Sequence, residues 1–208
     1  MLEIQVGYAT DVGLHREHNE DALLVQKLDV EAHHLEYQPM ICAVADGMGG
    51  HQGGEIASSL ALEALVDHLN EALGDRTAAQ RDEYGTVLAD AVQHANTVIF
   101  SRNASTHRDM GTTLVAALLV DDTACIANVG DSRAYLMQDS RLRQVTTDHS
   151  LVAELVAAGR IAPEDIYTHP RRNLVTRSMG TESRTRVDSF TVALKPGDTL
   201  ILCSDGLW

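Results

Sequence analysis

Two stretches of this 208-residue chain place a carboxylate where an apolar run ends: "VADGMGGH" at residues 44–51 and "LCSDGL" at residues 202–207. In each, an Asp is followed at once by Gly. An Asp-Gly pair joining two strands is the commonest short hairpin signal. After Asp46, however, comes "GGEIASSLALEALVDHLNEAL", where Ala57, Ala61, Leu65, Leu69 and Leu73 recur every four residues and Ile56, Leu60 and Ala64 lie beside them. That is the stripe of an amphipathic helix. Asp46 is therefore expected at a strand-to-helix passage, where glycines let the backbone approach something bound. Near the amino terminus, "HREHNEDALLV" adds Glu20 and Asp21 at the start of another apolar run. Neighbouring side chains of a strand face opposite ways, so one of this pair should share the rim reached by Asp46 and Asp205. Asp21 is taken as that ligand and Glu20 as the weaker candidate.

Carboxylates that converge without lysines repel one another and shift their pKa values unless a cation sits among them. An all-oxygen set suits Mg2+ or Mn2+ rather than zinc. Gly47 can add its backbone carbonyl. Taken singly, each Asp reads as a turn or helix cap; their recurrence at strand ends favours a metal. Arg16 stands a few residues before Asp21, and a guanidinium beside two dications is a fork for phosphate oxygens. Alone, it reads as a solvated loop arginine.

These side chains need a scaffold. The length fits one domain. Hydrophobic residues make up 44% but aromatics only 4%, so the core should be aliphatic. With 16 basic against 30 acidic residues, the formal net charge is -14. Such a surface repels nucleic acid and anionic membrane, which disfavours a metal-dependent nuclease. Cys42, Cys125 and Cys203 are scattered within apolar runs and look like core residues, not a disulfide or zinc framework. No apolar run approaches the ~18 residues that span a bilayer, and a cytoplasmic protein is expected.

The runs "IQVGYA", "DALLVQKL" and "MICAVA" read as strands, the last central. A second helix is signalled by "YGTVLADAVQHANTVIFSR", where Val87, Ala91, Ala95 and Ile99 repeat at four with Leu88 and Val92 beside them. From Thr112, "TTLVAALLV", "TACIANVG", "RAYLM" and "LRQVT" read as an antiparallel meander. A short helix closed by Gly159, a charged excursion, and the strands "RVDSFTVAL" and "DTLILCSDG" follow. Strands in runs, interrupted by a pair of helices, predict an α+β fold with antiparallel sheets. The run that stops at Trp208 has no closing element, so a fragment is expected.

In order and approximate spacing, "GLHREHNED", "AVADGMGGH", "MGTTL", "ANVGDSRAYL", "TTDHS" and "LCSDGLW" resemble the PPM family, the metal-dependent type 2C serine/threonine protein phosphatases, in its compact bacterial branch. The resemblance runs over essentially the whole chain. It implies a four-layer αββα sandwich, here a single domain over 1–208 without its last strand or strands, with a flap-like excursion at 149–170. It implies two cations bridged by Asp46, with Gly47 and Asp205 as further ligands, Asp21 and Glu20 on the second ion through water, and Arg16 on phosphate. Asp109 could join Asp205 on a third ion. Asp131, Asp148 and His149 match positions expected to be structural or flap-related. Met48 replaces the histidine that eukaryotic relatives carry after Asp-Gly, as in bacterial relatives; His51 nearby is more often a helix-start or surface residue than a proton donor. The implied reaction is direct attack of a metal-activated water on phosphoserine or phosphothreonine in proteins, opposing a cognate kinase in signal transduction. No Ser/His/Asp set or cysteine phosphatase loop is visible. The competing reading is a non-catalytic module of the same fold that binds a phosphorylated partner, or a fragment of little activity.

Overall fold

The computed structural model describes residues 4–14, 16–29, 38–49, 53–74 and 83–208. In chain order its elements are β1 Asp21–Lys27, β2 Met40–Met48, α1 Gly53–Gly74, α2 Tyr84–Thr106, β3 Gly111–Thr112, β4 Leu114–Val120, β5 Thr123–Val129, β6 Arg133–Gln138, β7 Arg141–Gln144, α3 Leu151–Ala157, a 3-10 turn Pro163–Tyr167, β8 Asp188–Ala193 and β9 Thr199–Cys203. The strands form two antiparallel sheets. The larger runs β1-β2-β4-β5-β8, with β3 beside the end of β2, and the smaller runs β7-β6-β9. The α+β class and its antiparallel sheets are as the sequence indicates.

Strand alternation builds two cores at once. In β4, Leu114, Ala116, Leu118 and Val120 pack toward α1 and α2, while Val115, Ala117 and Leu119 pack toward the smaller sheet. Both faces of β4 are covered, which explains its unbroken apolar run. The helical stripes read from spacing are the buried ones: Ala57, Ala61, Leu65 and Leu69 of α1 and Ala91, Ala95 and Ile99 of α2 are each 0% exposed. The second core joins Val115, Ala117 and Ile126 to Ala134, Leu136, Leu200 and Leu202. All three cysteines are free thiols; Cys125 and Cys203 are buried and Cys42 partly so.

Two expectations change. "IQVGYA" forms no strand: Ile4, Val6 and Tyr8 are 44%, 42% and 73% exposed. Alternation makes a strand only where a neighbour completes the ladder and a face receives every second side chain; among the described residues this stretch has neither. The meander also divides. β4 and β5 pair in the larger sheet, whereas β6 and β7 pair in the smaller one, and the chain changes sheet at Gly130–Asp131–Ser132. Turn composition marks the corner but not which sheet the next strand joins.

A polar clamp on α2 ties the helical layer to the loops around β3. Asn96, fully buried, accepts from the Gly180 N–H at 2.8 Å and donates to the Glu182 carbonyl at 3.0 Å. Two turns later Asn103 donates to the Met110 and Gly180 carbonyls at 2.7 and 3.0 Å and accepts from the Met110 N–H at 3.0 Å. Gly180 has φ +86°, and a Cβ there would stand 2.3 Å from the Ile99 side chain. Truncating the clamp strands a buried N–H, so Asn96→Ala is expected to cost about 2–3 kcal/mol of unfolding free energy. Urea unfolding checks this; a loss near zero would mean the pairings carry no stability.

Candidate metal centre

The ends of three strands and one corner bring the acidic residues together. On β2, Met40, Cys42 and Val44 face the second core and Ile41, Ala43 and Ala45 face the helices. By the same alternation Asp46 falls on the side between the sheets and Gly47 on the side of α1. Asp21, the first residue of β1, stands directly opposite Asp46 in the ladder, so the two carboxylates share a face. The smaller sheet supplies the third: Leu200 and Leu202 of β9 face the second core, and Ser204 continues that parity. The Ser204 hydroxyl donates to Asp21 Oδ2 at 2.7 Å, tying the segment that carries Asp205 to β1 across the gap between sheets.

Gly47 is required by space. A Cβ there would lie 2.2 Å from the Gly54 carbonyl oxygen and 2.6 Å from that of Glu20. Its N–H donates to the Glu20 carbonyl at 3.2 Å, which the buried Ser58 hydroxyl of α1 also reaches at 2.7 Å. β2 can thus run directly under the start of α1. The Asp46 backbone is clasped from the other side. Its N–H donates to Thr113 Oγ1 at 3.1 Å, and its carbonyl accepts from the Thr113 N–H and from Thr112 Oγ1, each at 2.9 Å. Thr113 Oγ1 in turn meets Ser132 Oγ at 2.7 Å, beside Asp131. Asp46–Gly47 lies within β2 and is not a hairpin.

The charges are unbalanced. Burial first, then the charges of Asp21, Asp205 and Asp131 and a hydrogen bond to Asp21, push the Asp46 carboxyl up to about 8. Burial and the Asp205 charge push Asp131 up to about 6, against its own backbone N–H and the Arg133 charge. Glu20 projects to the other face: its Oε1 is buried without a hydrogen-bond partner, and its Oε2 lies 3.9 Å from Arg16 Nη1. Arg16 is otherwise open, its side chain 76% exposed. Among the described residues, no three His, Cys, Asp or Glu side chains converge as a ready-made cage for one ion. Mg2+ and Mn2+ do not need one, since octahedral oxygen sites of this kind keep several waters. The donor set fits such cations on two counts: the orphaned Glu20 oxygen, and acids that burial and repulsion hold partly protonated for want of positive charge.

Of the residues singled out from sequence, Asp46, Asp21, Asp205, Gly47 and Glu20 lie around this end of β2. Asp109 is exposed and is not among the carboxylates acting on Asp46. His51 lies outside the described residues. Asp131 does more than its expected structural part, because it acts on Asp46 directly. Ser58, Thr112, Thr113 and Ser204 escaped sequence reasoning. For Ser204, the parity of "TLILCSD" was the available signal, since it points every second residue from Leu200 toward the other sheet.

Comparison with known proteins agrees with this fold. The protein phosphatase 2C family profile matches residues 15–208. The serine/threonine phosphatase stp of Listeria welshimeri is 44% identical over 202 residues, which cover 96% of this chain and 76% of the relative. The crystal structure of the serine/threonine phosphatase Stp1 from Staphylococcus aureus superposes with a TM-score of 0.81 at 36% identity, covering 96% of this chain and 75% of that one. The catalytic domain of the serine/threonine protein phosphatase PstP, solved in complex with two manganese ions, superposes with a TM-score of 0.73 at 33% identity, covering 94% and 74%. With its paired antiparallel sheets, its acidic strand ends and these matches along nearly its whole length, the chain belongs to the protein phosphatase 2C family.

Proposed function

We propose that this enzyme hydrolyses phosphoserine and phosphothreonine esters in proteins, using divalent cations held at the acidic end of β2. The observation that carries the reading is the placement of the half-buried Asp46 directly opposite Asp21 in the ladder, where burial and the charges of Asp21, Asp205 and Asp131 push its carboxyl up to about 8. A fold that keeps four carboxylates together with no lysine among them is built to be neutralised from outside.

Asp46 and Asp21 would hold the cations from the larger sheet, Asp205 from the smaller, and the Gly47 carbonyl from beneath α1. Glu20 offers its orphaned oxygen from the helix side. Two ions fit the number of donors; Mn2+ and Mg2+ both suit all-oxygen ligation, and Asp109 is the weakest candidate for a third. Bound divalent cations supply Lewis-acid activation of water and neutralise charge on the phosphoryl group. The protein's own part is placement. Thr112 and Thr113 hold the Asp46 backbone, Ser204 holds Asp21, and Arg16, leaning on Glu20 from an exposed loop, is free to swing its guanidinium onto phosphate oxygens. Transition-state charge on those oxygens makes a bidentate arginine effective.

The substrates on this reading are proteins phosphorylated by a serine/threonine kinase. No described helix is long and apolar enough to cross a membrane. The free, core-facing cysteines support a cytoplasmic site of action.

Three outcomes test the reading. Asp46→Asn is expected to abolish Mn2+-dependent hydrolysis of a phosphothreonine peptide while raising the unfolding free energy of chelated protein by about 1–3 kcal/mol, because a crowded acid is removed. A variant that keeps turnover, or a wild type that binds the peptide without hydrolysing it, would favour the non-catalytic module. The sign of the pH dependence follows from the raised Asp46. Its proton favours the metal-free fold, fully so below the unfolded pKa near 3.8 and lost as pH rises through about 8. A cation must displace that proton, so Mn2+ affinity measured calorimetrically should climb up to tenfold per pH unit from pH 6 toward 8; a flat profile contradicts the site. Arg16→Ala should raise the peptide KM about tenfold with Mn2+ affinity unchanged, and loss of Mn2+ binding in that variant would contradict the phosphate role.

A further inference from the structure

The corner where the chain changes sheets is held by a residue that none of the chemistry above uses. β5 ends before Gly130, which has φ +109° and whose missing Cβ would stand 2.6 Å from Thr113 Cβ. Asp131 follows directly, 4% exposed. His149, 6% exposed, grips this corner twice. Its backbone N–H donates to the Gly130 carbonyl at 2.9 Å, and the Gly130 N–H donates to its Nδ1 at 3.0 Å.

A ring nitrogen that accepts from an amide carries no hydrogen. The neutral ring therefore bears its proton on Nε2, which faces Asp188 Oδ2 at 3.1 Å. Arg177 Nη1 also lies 2.8 Å from Nε2, but two donors cannot satisfy each other. Its hydrogens go instead to Asp188 Oδ1 at 2.8 Å and to the Arg186 carbonyl at 3.2 Å. The ring is thus fixed from outside by Asp188, which Arg177 anchors. Burial pushes the imidazole pKa down and Asp188 works against it, with a net lowering that agrees with the neutral tautomer.

We infer that His149 is a positioning residue: as a neutral hydrogen-bond acceptor it fixes the Gly130 N–H and thereby aims Asp131 into the acidic cluster around Asp46. The consequence for catalysis rests on the reading of that cluster as a cation site; the consequence for the corner does not. Partners that orient groups at a metal site are commonly worth about 10- to 100-fold in metal affinity or activity.

Two substitutions separate this role from simple packing. The Asn side-chain oxygen falls near the place of Nδ1, so His149→Asn keeps an acceptor for Gly130 and loses the reach to Asp188. The Gln amide falls near Nε2, so His149→Gln keeps Asp188 and loses the acceptor. The expected result is that His149→Asn stays within about threefold of wild-type kcat and Mn2+ affinity, with the Gly130 amide still protected from hydrogen exchange. His149→Gln should lose about tenfold in both, with KM for the phosphopeptide changed less than twofold and the Gly130 amide exchanging freely. Equal losses in the two variants, a spared Gln variant, or no loss in either would overturn the proposal. Should His149→Gln fail to fold, a tenfold loss in His149→Asn with an unprotected Gly130 amide overturns it alone. If wild-type protein turns over no phosphopeptide, the phosphatase reading falls while Mn2+ titration and Gly130 exchange still decide the role of His149.

Discussion

The mutual repulsion of acids gathered at the end of β2, where Asp46 feels the charges of Asp21, Asp131 and Asp205, is the constraint around which the rest of this fold is arranged. Asp21, Asp46, Asp131 and Asp205 come from β1, β2, the corner after β5 and the segment after β9, so no local piece of chain can relax their repulsion by moving alone. Two of them are held through backbone or hydroxyl contacts rather than by a bonded countercharge. Thr112 and Thr113 clasp Asp46, Ser204 bonds to Asp21, and Thr113 meets Ser132 beside Asp131. Neutral anchors fix position without supplying the positive charge that would make a cation redundant. Such a cluster carries an electrostatic cost that a cation would remove on the proposed reading, a common reason for functional sites to sit off the stability optimum.

Two apolar cores make that cost tolerable. Because β4 is buried on both faces and β2 on most of its length, the strands that present the acids cannot tilt or slip by a residue without turning an entire apolar row outward. Asp46 owes its direction to that register. One residue further, Gly47 lies under α1 where no Cβ fits, so the same two positions mark the acidic gap on one side and the closest strand-to-helix approach on the other. A Gly-to-larger change at 47 would therefore disturb α1 and the site together.

Period was the most readable feature of the sequence. Stripes at four residues located α1 and α2, and the apolar runs located β1, β2, β4, β5, β8 and β9, because each of those elements buries the face its pattern advertises. The acids at strand ends were legible for the same reason: Asp21 and Asp46 occupy an alternation whose other members are core. What the letters could not carry was pairing. "IQVGYA" has the alternation of a strand and no partner among the described residues, and "ANVGDSRAYL" hides a change of sheet inside what reads as a continuous meander. Asp131 carries no such signal, since only the crossing from one sheet to the other brings it opposite Asp205.

A second buried acid shows what the Asp46 cluster would be if stability were its purpose. Asp148 accepts from Arg133 Nε at 3.0 Å and Nη2 at 2.6 Å and from Gln144 at 2.7 Å; Arg133 also donates to the Tyr135 hydroxyl at 2.9 Å, and its guanidinium carbon lies 3.1 Å from the centre of the Trp208 ring. Burial works against the Arg133 charge, and the bonds to Asp148 and Tyr135 more than offset it. Every charge in that pair is answered by a side chain, as buried ion pairs require. Both groups sit beside the same corner: Arg133 opens β6 two residues after Asp131, and Asp148 precedes His149. One fold thus completes a hydrogen-bonded charge pair at one end of this short stretch, while the acid at the other end feels Arg133 only through space. Arg133 gives its hydrogen bonds to Asp148, and its charge does not outweigh the burial and the Asp205 charge that push Asp131 up. That commitment of Arg133 to Asp148 supports the proposal that a cation completes the cluster around Asp46.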